Sequence, residues 1–184
     1  MPPYKTAFRP STSKSGLIMA ATITSSSVDD EHSRTLRYVF FAVGRSVFLY
    51  QQIELLLKTL LPYLKPTDGR ASEDPFAEMK RLLDSRETMG PLVERLKKSS
   101  KVDHPEGFAS YLEQVVKNRN DLIHSFAKLP FGDMSTTAYC REALAYLEAR
   151  CRYAMPLMQL LRELLSSFVE LLADSDVEYE EQRT

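Results

Sequence analysis

Apolar residues recur at three- and four-residue steps along most of this chain, which is the periodicity of amphipathic α-helices. No segment shows the alternation typical of a β-strand. In the first third of the chain the stripe predicts a helix from residue 31 to about residue 64, ended by Pro62 and Pro66. Its apolar positions are Leu36, Phe40, Val43, Val47, Tyr50, Leu57 and Leu61.

Breaks between the apolar stripes divide the rest of the chain into four further helices. We expect them over residues 72–87, 92–98, 106–128 and 136–173. Met89-Gly90-Pro91 separates the second helix from the third, and Ser135 is a candidate N-cap for the last one. Pro156 should kink or split that last helix. The fold class is therefore all-α, a bundle with two long antiparallel helices plus shorter ones.

The ends of the chain differ in composition from its middle. Residues 1–28 are rich in Ser, Thr and Pro and carry bases without acids, so we expect a disordered leader. Residues 29–174 form the helical domain, and residues 175–184 form an acidic tail. With a formal net charge of −1, the whole molecule has no strong field that would draw it to nucleic acid or to a membrane.

The two cysteines and the apolar runs suggest where the protein works. Cys140 and Cys151 lie about 16 Å apart in one predicted helix, too far for a disulfide between them. Reduced thiols are typical of a cytoplasmic protein, which is the localisation we expect. No apolar run reaches the roughly 18 residues of a membrane span, so we expect no membrane partner.

Two charged residues interrupt the apolar stripes. On an ideal helical wheel Arg119 lies at the centre of the stripe of its helix, within about 60° of its apolar neighbours. Glu54 has the same position in the first helix. Because buried charges are almost always paired, we expect Glu54 to bind Arg119 when these helices pack antiparallel. A pair that only sets the helix register remains an alternative interpretation.

The helix of Arg119 carries a spaced pair of polar residues that suggests a family. Arg119 is followed by Asn120 and, after four intervening residues in all, by His124. This Arg-x4-His pattern, with a polar residue directly after the arginine, resembles the motif of the HEPN superfamily. The resemblance covers residues 31 to about 173, including the long first helix with its central acid. It implies a HEPN-like helical bundle.

The resemblance also implies a function. Active HEPN proteins are metal-independent endoribonucleases of toxin or phage-defence type, and they dimerise so that two motifs form a composite active site. By that resemblance Arg119, Asn120 and His124 would be catalytic, with Glu54 in support. Histidine exchanges protons near neutral pH, and a guanidinium stabilises charge on a phosphoryl group. We expect an RNA substrate, a homodimer and an antitoxin protein as partners.

Some observations limit these expectations. The three histidines have no metal-type spacing, so we expect no metal and no cofactor. In one HEPN subgroup a tyrosine two residues after the histidine is modified to silence the toxin, whereas this chain has Phe126 there. Because many HEPN-like proteins lack nuclease activity, the alternative function is a non-catalytic dimerisation or interaction module.

Overall fold

The computed structural model describes the backbone of residues 15–65 and 72–181, and the side chains of residues 30–65 and 72–172. These residues are almost entirely helical and contain no β-strand, so the predicted all-α class is confirmed. The helices are α1 (Ser15–Leu60), α2 (Pro75–Asp84), α3 (Met89–Ser99), α4 (Pro105–Asn120) and α5 (Thr137–Glu181). A π-helical segment (Asp121–Ser125) follows α4 directly, and short 3-10 turns (Leu61–Tyr63 and Phe126–Lys128) follow α1 and the π segment.

The long helices extend further than the sequence predicts. Helix α1 begins at Ser15, inside the predicted disordered leader, and α5 continues to Glu181, inside the predicted acidic tail. The helices therefore cross the predicted domain boundaries at residues 28 and 175, and the division into leader, domain and tail stays a prediction. The rest of the leader, residues 1–14, lies outside the described residues.

Two shorter boundaries follow from capping chemistry. Helix α2 begins after Asp74, whose carboxylate accepts a 2.9 Å hydrogen bond from the Ala77 amide, and Pro75 occupies its first position. Helix α5 begins after Thr136, whose hydroxyl accepts from the Tyr139 amide at 3.1 Å, so the N-cap lies one residue after the predicted Ser135. Met89-Gly90-Pro91 does not separate two helices as expected but forms the first turn of α3, where Pro91 needs no amide donor.

The two longest helices run in the same direction. Contacts between them advance together along both, from His32 with Cys140, through Ser46 with Cys151, to Tyr63 with Phe168 just beyond the end of α1. The predicted antiparallel arrangement is therefore wrong for α1 and α5. Their connection is long enough to return the chain, because α2, α3 and α4 lie between them.

Helix α4 supplies the antiparallel element. Tyr111, near its start, contacts Tyr153 of α5, whereas Phe126, beyond its end, contacts the earlier Tyr146. Because α1 and α5 are parallel, α4 also runs opposite to α1. The core lies where these three helices meet α2 and α3. Its largest fully buried side chains are Ile53, Leu57, Leu82, Met89, Leu92, Leu112, Leu147, Leu157 and Leu161.

Pro156 lies inside α5 without splitting it. The proline has no amide hydrogen to donate to the preceding turn. Beside the proline, the side chain of Tyr111 of α4 replaces one backbone hydrogen bond of α5. Its hydroxyl donates to the Tyr153 carbonyl at 3.1 Å and accepts from the Leu157 amide at 3.0 Å. A side chain thus joins the two backbone groups that a regular helix would bond directly.

Among the described helices, none combines the length and hydropathy that a membrane crossing requires.

Candidate functional site

The buried face of α4 is centred one residue before the predicted position. Leu112, Val115 and Leu122 are buried, and the polar residue among them is Asn118, which is only 4% exposed. Its side-chain oxygen accepts a 2.8 Å hydrogen bond from Gln114, which satisfies part of the buried amide. Arg119 is half-buried, at the edge of this face rather than at its centre.

The three predicted catalytic residues lie at the C-terminal end of α4 and in the π segment that follows it. The Arg119 guanidinium donates to the Asn120 side-chain oxygen at 3.2 Å. Asn120 and His124 are both exposed. Within the described part of the chain the His124 ring has no hydrogen-bond partner, so neither ring nitrogen is engaged by another group of these residues.

The π segment changes the direction in which His124 points. In an α-helix residues five apart, such as Arg119 and His124, point about 140° apart, because each residue turns the chain by about 100°. A π-helix closes its turn with i→i+5 bonds, so each residue turns the chain by less. The segment Asp121–Ser125 therefore brings His124 closer in angle to Arg119 than an uninterrupted α-helix would. The Arg-x4-His motif and the π segment therefore overlap along the chain.

Glu54 does not bind Arg119. Its carboxylate lies 3.6 Å from the ammonium group of Lys58, one turn further along α1. Lys58 is buried and also donates to the Ser85 carbonyl at 3.0 Å, which fixes it between α1 and the end of α2. Among the described residues no ion pair within 4.0 Å joins Glu54 and Arg119, so the predicted pair is wrong. Glu54 instead balances the charge of Lys58, a buried lysine that the apolar pattern does not reveal.

The carboxylate inside the motif does not bind Arg119. Asp121 forms a 2.8 Å ion pair with Lys117, one turn earlier on the same helix. Arg119 therefore keeps an uncompensated positive charge, because no carboxylate of the described residues lies within 4.0 Å of its guanidinium.

Behind the motif, polar groups of α1 and α5 are buried together. The Tyr50 side chain of α1 is 3% exposed, and the Arg150 guanidinium of α5 lies 3.3 Å from the centre of the Tyr146 ring. Neither the Tyr50 hydroxyl nor Arg150 Nε has a hydrogen-bond partner among the described residues. Burial is the main reason that the pKa of Tyr50 is raised above its usual value, and the charges of Cys151 and Asp121 add to this while Arg150 opposes it. The hydroxyl therefore stays protonated.

The turn after the π segment is held by aromatic packing and by a glycine. Phe126, Phe131 and Tyr146 form a cluster with ring centres 5.3–6.1 Å apart. Gly132 lies so close to the backbone of Ala127 that an added Cβ would stand 2.6 Å from its carbonyl oxygen. This close approach requires a glycine at position 132 and closes the turn that follows the π segment.

The described residues contain no cluster of three or more His, Cys, Asp or Glu side chains that could hold a metal ion. What the motif offers chemically is an exposed imidazole, an uncompensated guanidinium and an exposed amide on one turn. These are groups for proton transfer and for binding an anion.

The chain was compared with family models, with curated proteins and with solved structures, and none of them matches it.

Proposed function

We propose that this chain is a HEPN-like, metal-independent endoribonuclease of toxin or phage-defence type, acting as a dimer with a composite active site. The observation that carries the proposal is the guanidinium of Arg119, which has no carboxylate partner among the described residues and is hydrogen-bonded to Asn120 close to the exposed His124. If Arg119 served only to hold the bundle, it should have a buried carboxylate partner. Its position at the edge of the core, without an ion pair, favours a role in binding an anion.

The proposed reaction uses the 2′-hydroxyl of RNA as nucleophile. A neutral His124 takes the proton from this hydroxyl as its oxygen attacks the adjacent phosphorus, and a protonated histidine gives a proton to the departing 5′-oxygen. The product ends are a 2′,3′-cyclic phosphate and a 5′-hydroxyl. Arg119 stabilises the negative charge that accumulates on the phosphoryl oxygens, and Asn120 orients Arg119 through their hydrogen bond.

The proposed dimer explains how one histidine per chain supplies two proton-transfer groups. Two motifs facing each other would provide His124 as base from one chain and His124 as acid from the other. Ile123, the residue directly before His124, is 44% exposed and would be covered by such an interface. Ile123→Glu should therefore shift the sedimentation mass from twice the chain mass of 21.0 kDa to a single chain.

RNA cleavage by purified protein in EDTA tests the activity. Wild type should cut a mixed RNA pool, and His124→Ala and Arg119→Ala should reduce the rate by about 10²–10⁴-fold while circular dichroism stays unchanged. His104→Ala is the matched control, because His104 is an exposed loop histidine remote in sequence from the motif. It should cut as wild type does.

Two outcomes would overturn the ribonuclease proposal. One is a folded wild-type protein that leaves the RNA pool intact. The other is cleavage that persists in folded His124→Ala, which would point to a contaminating nuclease or a different site.

The alternative function is a non-catalytic dimerisation or interaction module. It is favoured by a specific observation, the large aromatic side chains on the outer side of α1, where Phe41 is 70% exposed and Phe48 is 61% exposed. The RNA assay separates the two functions, because the module would bind a partner through this surface without cutting RNA.

A further inference from the structure

The α1–α5 pair leaves an apolar groove on the side of the bundle. Its volume is about 610 Å³, and its floor consists of the buried side chains of Leu49, Cys151 and Met158. Phe48 of α1 and Met155 of α5 form its walls, and both are more than 40% exposed. This groove lies outside the Arg119–His124 motif and plays no part in the proposed ribonuclease activity.

Along both helices, exposed side chains recur at seven-residue intervals from the groove, apolar throughout on α1 and interrupted by an arginine on α5. Phe41, Phe48 and Leu55 follow one another along α1, and all three are exposed. On α5, Met155 and Val169 occupy the corresponding line, with Arg162 between them. Seven-residue spacing on two parallel helices is the pattern into which the side chains of a third α-helix fit. The groove therefore fits a helical ligand better than an extended one.

The rim of the groove is positively charged. Arg45, Arg152 and Arg162 line it and are exposed, against a single carboxylate from Glu148. Among the described residues none of the three arginines forms an ion pair. Exposed arginines beside an apolar surface complement an acidic partner.

The same charges disfavour a second copy of this chain as the occupant. A two-fold contact through this face would bring the same three arginines of each copy together, with only one Glu148 on each side to compensate them. Like charges that face each other across an interface oppose association.

We infer that the groove between α1 and α5 binds an amphipathic, acidic α-helix of a partner protein. Apolar side chains of that helix fill the space between Phe48 and Met155, and its flanking carboxylates bind the arginines of the rim. The stretch from Glu148 to Arg162 spans about 21 Å of α5, which accommodates about four turns of the ligand.

A pair of synthetic peptides tests this inference with the full-length protein. One is a three-heptad helix of about 21 residues with leucine at positions a and d and glutamate at e and g. The other has lysine in place of every glutamate. Fluorescence anisotropy should show that the acidic peptide binds at least about tenfold more tightly, a difference of about 1.4 kcal/mol.

Charge reversal in the protein locates the site. Arg45→Glu/Arg162→Glu should invert the preference, so that the lysine peptide binds more tightly than the glutamate peptide. Arg37→Glu/Arg86→Glu is the matched control, because it changes the net charge equally at exposed arginines outside the groove. It should keep the preference for the acidic peptide.

An apolar variant tests the walls independently of charge. Phe48→Ala should weaken binding of the acidic peptide by about tenfold, whereas Phe76→Ala, which removes an equally exposed phenylalanine from α2, should leave it unchanged.

Three results would overturn the inference. They are failure of the acidic peptide to bind, an equal effect of the two double variants, and loss of a homodimer in sedimentation on introducing Arg45→Glu/Arg162→Glu. The last result would identify the groove as the interface between two copies of this chain. None of these results depends on whether the protein cuts RNA.

Discussion

Within the described part of the chain, two segments depart from a regular α-helix. They differ in whether a side chain from another helix takes part in the hydrogen bonds of the backbone there. In α5, Pro156 removes a backbone donor, and the Tyr111 hydroxyl takes both neighbouring backbone groups, the Tyr153 carbonyl and the Leu157 amide. After α4, the π segment Asp121–Ser125 needs no side chain from another helix to complete it, and it leaves His124 exposed and without a partner.

The difference separates a structural irregularity from a candidate functional one. The opening at Pro156 faces a neighbouring helix, where an unsatisfied backbone group would be expensive, so a side chain fills it. On the π segment His124 is exposed, and its ring has no hydrogen-bond partner among the described residues, so it remains free to meet a ligand. Because π-bulges occur frequently at functional sites, this contrast makes His124 a better candidate for a functional residue than Pro156.

The largest effect should come from the π region and should concern activity. Arg119→Lys keeps the positive charge but loses the planar fork that can bind two phosphoryl oxygens. We expect RNA cleavage to fall by about 10²-fold, with the free energy of unfolding unchanged within about 0.5 kcal/mol. Arg86→Lys, at an exposed loop position, should leave both quantities unchanged. Equal cleavage by the two variants would remove Arg119 from the site.

The proline region should respond in the opposite way. Tyr111→Phe leaves the Tyr153 carbonyl and the Leu157 amide without their shared partner, so urea denaturation should show a loss of about 1–2 kcal/mol. RNA cleavage by the folded variant should remain at the wild-type rate. Tyr38→Phe, at an exposed tyrosine, is the control and should change stability by less than about 0.5 kcal/mol. If Tyr111→Phe leaves the free energy of unfolding unchanged, water replaces the hydroxyl at no cost in stability.

A double-mutant cycle sharpens the assignment of Tyr111 to the proline. In Pro156→Ala the helix regains an amide donor, and the Leu157 amide can return to the Tyr153 carbonyl. Tyr111→Phe should then be less damaging than in wild type, with a coupling free energy of about 0.5–1 kcal/mol. Additive effects would show that the tyrosine stabilises α5 independently of Pro156.

The smallest effect should come from the α2–α3 pair, which contains neither irregularity. Partial burial by itself would raise the pKa of the Glu78 carboxyl. Hydrogen bonds from Arg95 and Ser72, together with the charge of Arg95, outweigh it and lower the pKa below its ordinary value of 4.5. A lowered folded-state pKa stabilises the protein above the ordinary value, and this contribution is lost as the pH falls through the folded-state value.

Glu78→Gln tests this reference region. We expect it to lower the free energy of unfolding by about 0.5 kcal/mol at neutral pH, with the difference from wild type shrinking as the pH falls below 4.5. Glu73→Gln, at an exposed carboxylate, is the comparison and should show no such pH-dependent difference. A Glu78→Gln effect that stayed constant down to acidic pH would exclude the ion pair with Arg95 as its cause.

The helical wheel misjudged both charged residues by one position. It placed Glu54 and Arg119 at the centres of buried faces, whereas the structure buries their neighbours Ile53 and Asn118. On α1 the reason is visible in the sequence, because apolar residues cover two faces of this helix. One face packs into the core through Val39 and Ile53, and the other remains exposed and carries Phe41, Phe48 and Leu55.

The sequence by itself determined the helical class, most of the breaks between helices and the grouping of Arg119, Asn120 and His124 on one short stretch. These are local properties, because helix periodicity, capping and proline act within a few residues. Only the tertiary structure decided which apolar face of α1 is buried, that α1 and α5 run parallel, and that Tyr111 bridges the turn at Pro156. Those outcomes depend on competition among partners far apart in the chain, which no local pattern encodes.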